Sequence, residues 1–166
     1  MNLNDIRKSE IVLLDANIFI YGTLEKSQQC RKLLRRCAER DVIGVAGTQQ
    51  LAEIMHRLMM IEARENEWLT GGNPVRSLSE RPERVRSLGR YAEAVKGFLA
   101  VGFRFEPLIK EDFPIALLLQ RQHGLLTNDA LLLALADRLR IQSIASTGKS
   151  FAAVREIILY EPDDFG

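Results

Sequence analysis

The side chains in this sequence with the most to offer chemically are three acids far apart in the chain: Asp15, Glu53 and Asp129. Each stands against a strongly apolar stretch, where a charge is awkward for packing. Asp15 ends the run Ile11-Val12-Leu13-Leu14, Glu53 lies among Leu51, Ile54 and Leu58, and Asp129 precedes Leu131, Leu132, Leu133 and Leu135. Carboxylates brought together repel one another and titrate upward unless a cation neutralises them. A donor set made only of oxygens suits Mg²⁺ or Mn²⁺. Such an ion lowers the pKa of a bound water and steadies the charge on a phosphate under in-line attack. The chemistry on offer is phosphodiester cleavage by metal-activated water, without a Ser, Cys or His nucleophile. Each acid also has a plainer use. Asp15 suits the N-cap of a following helix, Asp129 or Thr127 suits the N-cap of a later one, and Gln49, Gln50 and His56 leave room for Glu53 on a solvated helix face.

The elements that must position these acids are legible as short apolar runs between helical patterns. Residues 11–14, 42–46, 102–107, 143–145 and 157–160 read as five strands, the third closed by Pro107 and the fifth ended by Pro162. Helical spacing runs from about Glu25 to Arg40, onward from Thr48 as an N-cap, from Pro82 to Val101, from Asp112 to His123, and from Ala130 to Arg140 behind Thr127-Asn128-Asp129. Between Leu69 and Pro82 the breakers Gly71-Gly72-Asn73-Pro74 predict a loop or insertion joining two helices. Strand alternating with helix predicts an α/β domain with a mostly parallel sheet covered on both faces. In such sheets ligands bind beyond the carboxyl ends of the strands. Asp15 falls at such an end, and Glu53 and Asp129 fall near strand–helix junctions.

Composition narrows the class. The 166 residues suit a single domain over 1–166, and 46% hydrophobic with 27% charged residues suits a folded globular chain. Lys+Arg 23 against Asp+Glu 22 leaves a net charge of +1, so overall charge points to no class of partner. No apolar run reaches the roughly 18 residues of a membrane helix, and Met1 to Glu10 has no signal-peptide core; a cytoplasmic protein with no membrane partner is expected. Cys30 and Cys37 sit seven apart in one helical pattern, about 10 Å of rise, too far for a disulfide. His56 and His123 give no zinc spacing. Arginines gather at Arg31, Arg35, Arg36 and Arg40, and again at Arg76, Arg81, Arg84, Arg86 and Arg90, either as phosphate contacts or as solvated faces interspersed with Glu39, Glu80, Glu83 and Glu93. Trp68 suits either base stacking or an interface.

Taken in order, these residues resemble the PIN-domain family, and within it the VapC-like toxin ribonucleases. The opening strand and acid are matched by Leu13-Leu14-Asp15-Ala16-Asn17-Ile18-Phe19-Ile20-Tyr21, the helical Glu by Thr48-Gln49-Gln50-Leu51-Ala52-Glu53-Ile54, and the late acid by Gly124-Leu125-Leu126-Thr127-Asn128-Asp129-Ala130-Leu131. The resemblance covers nearly the whole chain. It implies a three-layer α/β/α domain with about five strands, interrupted here by a helical or loop insertion around 67–83. It further implies a Mg²⁺- or Mn²⁺-dependent endoribonuclease acting on RNA, a homodimer, and a cognate antitoxin that covers the site. Asp15, Glu53 and Asp129 would then be both the catalytic residues and the metal ligands, supported by Asn17, Thr127, Asn128 and Ser146.

The fourth motif departs. In Ala145-Ser146-Thr147-Gly148-Lys149-Ser150-Phe151 the Ser and the Phe align, but Gly148 stands where an Asp is expected and Ser150 where a second acid often lies. Lys149 instead offers a charge to phosphate. Asp137, eight residues beyond Asp129, reads as a solvated surface acid, and nothing in the sequence brings Asp163 or Asp164 back to the site. Three acids still suffice for one ion, because Mg²⁺ keeps several waters. The competing expectation is a catalytically weakened PIN-like module that binds RNA or a protein partner.

Overall fold

The computed structural model describes residues 1–69 and 73–165; Gly71 and Gly72, the centre of the expected breaker cluster, lie outside them. The five strands are β1 (Ile11–Leu14), β2 (Ile43–Gly47), β3 (Arg104–Glu106), β4 (Ser143–Ala145) and β5 (Ile158–Tyr160), ordered β3-β2-β1-β4-β5 and parallel throughout. The helices are α1 (Ala16–Thr23), α2 (Gln28–Ala38), α3 (Thr48–Glu65), α4 (Pro74–Ser79), α5 (Pro82–Ser87), α6 (Arg90–Ala100), α7 (Asp112–His123) and α8 (Thr127–Leu139). Among the described residues no helix is long and apolar enough to cross a membrane.

The central strand explains the layering. Successive side chains of a strand point to opposite faces, so Val12 and Leu14 enter a core with Phe19, Leu33, Ile54 and Val95, while Leu13 enters a second core with Val45, Leu132, Leu135 and Ile144. The first core lies under α1, α2, α3 and α6, the second under α7 and α8. Beyond the exposed Ile11, β1 is buried on both faces and has to be continuously apolar, as Val12-Leu13-Leu14 is. At the centre of the first core the Phe19 ring meets Phe98 edge-on at 5.0 Å and Phe103 at 5.1 Å. Phe19→Ala is expected to destabilise the fold by about 3–5 kcal/mol, read as a lowered urea midpoint with an unchanged slope.

Four local expectations are corrected. Residues 16–23, apolar nearly throughout, form a separate helix α1 ahead of the pattern expected from Glu25, and the next helix starts at Gln28 instead of Glu25. Ser27 caps it, accepting from the Cys30 amide at 3.0 Å, and Gly22 lets α1 approach, since a Cβ there would sit 2.6 Å from Leu34 Cδ1. The helix expected over 82–101 is two helices. The carboxylate of Glu62 on α3 accepts from the backbone amides of Gly89, Arg90 and Tyr91 at 3.0, 3.2 and 2.9 Å, which restarts the chain as α6. After the breaker cluster Asn73 caps α4, with Pro74 at its first turn. Leu78, Leu88, Trp68 and Val85 pack there on Ala63 of α3, and the Arg84 guanidinium lies 5.5 Å from the Trp68 ring centre. Trp68 is therefore a packing residue. Finally, Thr48 is the first residue of α3 and Gly47 occupies its N-cap, so no side chain caps that helix.

Burial alone would raise the Glu62 carboxyl, but the three amide bonds and Arg90 outweigh it and hold the group below its ordinary 4.5. Its stabilisation is therefore complete above the unfolded-state value and is lost as pH falls through the lower folded value. Glu62→Gln is expected to cost about 1–3 kcal/mol at neutral pH. The gap to the wild type should close in acid, which melting curves across pH 3–7 would check.

Candidate active site

Asp15 reaches the carboxyl edge of the sheet because β1 stops there. Its backbone amide still donates to Ala145 O at 3.0 Å, continuing the β1–β4 pairing for one more step. That register sets Asp15 beside Ser146, the residue after β4, and the Ser146 hydroxyl donates to Asp15 Oδ2 at 2.9 Å. Asn17 Nδ2 donates to the same oxygen at 3.3 Å. Asp15 occupies the N-cap position of α1 yet makes no capping bond with its side chain. The carboxylate is almost wholly buried, at 8% exposure, without capping the helix that follows it.

Glu53 comes from the second turn of α3. Its Oε2 accepts from Asn128 Nδ2 at 2.9 Å and its Oε1 from Arg57 Nη1 at 3.3 Å. Gln50 is buried, so the polar face that would have carried Glu53 into solvent is not present on that side. Asp129 lies in the first turn of α8, where an acid complements the helix dipole. The residue at the N-cap of α8 is Leu126, so neither Thr127 nor Asp129 caps the helix, which starts at Thr127 and not at Ala130.

The acids act on one another electrostatically. Burial pushes the Asp15 carboxyl above its usual range, and the charges of Asp129 and Glu53 push it further, against the bond from Ser146. Burial likewise raises Asp129, the Ser150 hydroxyl opposes this, and the charge of Glu53 adds to it. The donors are all oxygens and share a repulsion that a divalent cation would relieve, so in chemical kind they fit Mg²⁺ or Mn²⁺. Among the described residues, however, no three His, Cys, Asp or Glu side chains stand clustered as a ready metal cage. Glu53 in particular has both oxygens engaged by Arg57 and Asn128.

The supporting residues divide. Asn17, Asn128 and Ser146 each bond to one of the acids. Thr127 does not: it accepts from Gln120 Nε2 at 3.3 Å and ties α8 to α7. Lys149 is exposed at the start of a short 3-10 helix, Lys149–Ala153. Gly148 donates its amide to Ser146 Oγ at 3.1 Å, so Ser146 relays between the fourth motif and Asp15. Asp137 is exposed, and Asp164 is committed elsewhere, accepting from Ser27 Oγ at 2.6 Å and from the Gln29 amide at 2.9 Å. Arg57 escaped the sequence reading although its place four residues after Glu53 is the standard spacing of a helical ion pair. Ser150 escaped it as well, read only as a missing acid. Of the arginines that offered either phosphate contacts or solvated faces, four are paired with neighbouring acids: Arg31 with Glu25, Arg36 with Asp41, Arg76 with Glu80 and Arg90 with Glu65.

Comparison with known proteins gives the same frame. VapBC2 from Rickettsia felis, bound to a DNA fragment from their promoter, superposes with a TM-score of 0.59 over 92% of this chain and 99% of that one at 16% identity. A toxin–antitoxin complex from Klebsiella pneumoniae superposes at 0.52 over 90% and 98% with 17% identity, and FitAcB from Neisseria gonorrhoeae at 0.50 over 91% and 97% with 19% identity. These likenesses concern the fold. No curated protein sequence matches. The PIN domain family matches residues 12–157, nearly the entire chain. The chain belongs to the PIN domain family.

Proposed function

We propose that this chain is a divalent-metal-dependent endoribonuclease, using Mg²⁺ or Mn²⁺, and the toxin of a toxin–antitoxin pair. The observation that carries this reading is Asp15: a buried carboxylate that caps nothing, sits at the carboxyl edge of a parallel sheet, and is bonded by Ser146 and Asn17 within reach of the charges on Glu53 and Asp129. PIN domains are generally nucleases, which agrees with it. A bound ion would supply an acidified water and charge neutralisation at the phosphate. The protein's part is to hold Asp15 through Ser146, to hold Glu53 through Asn128, and to offer Lys149 to the RNA backbone from the rim.

The partner reading follows from the company the fold keeps. The matched structures include toxin–antitoxin complexes, and an antitoxin covering this edge would silence the site. A homodimer is supported by α7, whose Phe113, Leu117 and Leu118 are 50%, 63% and 59% exposed, an apolar strip that a second copy would bury. We read residues 1–166 as one domain, with a helical or loop insertion around 67–83, and a cytoplasmic protein.

The test is cleavage of structured RNA by the purified chain with Mg²⁺, Mn²⁺ or EDTA, beside a matched DNA and Asp15→Asn. Cleavage of RNA that needs the metal and Asp15 supports the reading; cleavage indifferent to both overturns it. Gly148 favours a second reading, a module that binds RNA or a protein with its chemistry weakened. Absence of saturable Mn²⁺ binding in calorimetry would favour that module.

A further inference from the structure

Arg57 is bound into the site more deeply than a helical ion pair requires. An ordinary i,i+4 pair joins two residues of one helix, but Arg57 Nη1 also donates to Asn17 Oδ1, on α1, at 2.6 Å. The same amide of Asn17 then presents its Nδ2 to Asp15 Oδ2 at 3.3 Å. The same Nη1 also donates to Glu53 Oε1 at 3.3 Å, and the second oxygen of Glu53 is taken by Asn128. One guanidinium therefore fixes which way Asn17 faces Asp15 and occupies the free edge of Glu53. The Arg57 and Glu53 side chains are only 36% and 25% exposed, so water screens this contact incompletely.

We infer that Arg57 is the built-in counter-cation of the acidic site, competing with a divalent ion for Glu53 and holding the site to the charge of one such ion. The three acids carry −3, Arg57 returns +1, and the remaining −2 matches a single Mg²⁺ or Mn²⁺. An ion held at Glu53 would have to share that carboxylate with the guanidinium, while Arg57 keeps Asn17 in place beside Asp15. Arg57 is a positioning residue: it acts through Glu53 and Asn17. The inference rests on the proposed metal-dependent reading.

The test is calorimetric titration of Mn²⁺ into the 166-residue chain, without RNA, at about 0.15 M salt, for the wild type, Arg57→Gln, Arg57→Lys and Asp15→Asn. Loss of a positive charge this close to a ligand is expected to tighten Mn²⁺ binding of Arg57→Gln about tenfold. Arg57→Lys keeps the charge and should stay within about twofold of the wild type. A purely structural role would weaken binding in Arg57→Gln or leave it unchanged, and either result overturns the inference. Arg57→Met, which keeps the apolar stem, is measured beside it so that a folding failure of one variant leaves the comparison intact. Wild-type protein that binds Mn²⁺ no better than Asp15→Asn would remove the metal reading itself, and this inference with it. Wild-type binding lost in Asp15→Asn but not tightened in Arg57→Gln would remove the inference alone.

Discussion

Asp15→Asn is expected to lower RNA cleavage by about 10²- to 10³-fold, the usual scale for removing one electrostatic element of a site, while raising the melting temperature of the metal-free protein. The two effects have one origin. The carboxyl of Asp15 is raised above its ordinary 3.8 chiefly by burial, then by Asp129 and Glu53. A raised acid favours its protonated form in the folded state, so the metal-free protein loses stability as pH climbs through the folded value. Asn keeps a polar partner for the Ser146 hydroxyl and has no charge to desolvate. A gain of about 1 kcal/mol, worth roughly 2–4 °C in a chain of this length, is the expected size. It should shrink towards nothing below the unfolded-state value near 3.8. Melting curves at pH 4 and pH 7.5 with EDTA, beside cleavage assays with Mn²⁺, check both halves. A variant that is inactive and also less stable would point to Asp15 as a structural residue.

Gly148→Asp is expected to raise Mn²⁺ affinity and RNA cleavage, each by about tenfold, the effect of one added ligand charge near an ion. The backbone permits the change, because Gly148 has φ −99° and ψ 143°, an extended conformation open to any residue. Space permits it too: an added Cβ would meet Ser146 Oγ and Ser150 Oγ, both at 3.7 Å, which is ordinary contact. Gly148 already bonds through its amide to the hydroxyl that holds Asp15, so a carboxylate there enters the same cluster. Calorimetry and single-turnover cleavage measure the two gains. Unchanged values in a folded variant would mean that charge at this position does not limit the site, and would favour the binding-module reading.

The sheet and the three acids were legible because both are local facts. A strand buried on two faces has to be continuously apolar, so the run that forms β1 announces itself, and an acid directly after such a run is conspicuous. The spacing of Cys30 and Cys37 in one helical pattern was legible too; both thiols are buried, which pushes them to about 11 and about 12. Helix limits were less so. Residues 16–23 are apolar nearly throughout and offer no polar face to reveal a helical period. The break before α6 depends on Glu62, 27 residues earlier than Gly89, reaching across to take three amides.

What the sequence determined by itself is the kind of chemistry available: oxygen donors, their order along the chain, and the glycine where a fourth acid would stand. Only the tertiary structure decided how those donors are used. The register of β1 against β4 sets Ser146, and not a metal-binding acid, against Asp15. The packing of α1 on α3 places Asn17 where Arg57 can reach it, and the approach of α8 gives Asn128 to Glu53. Residue types and spacing are written in one dimension, whereas a carboxylate's partners are set by which elements cross it in three. For that reason the sequence left Asp15 open as a helix cap, and only its hydrogen bonds showed that its side chain makes no capping bond. Arg57 stayed invisible until the fold brought α1 beside α3.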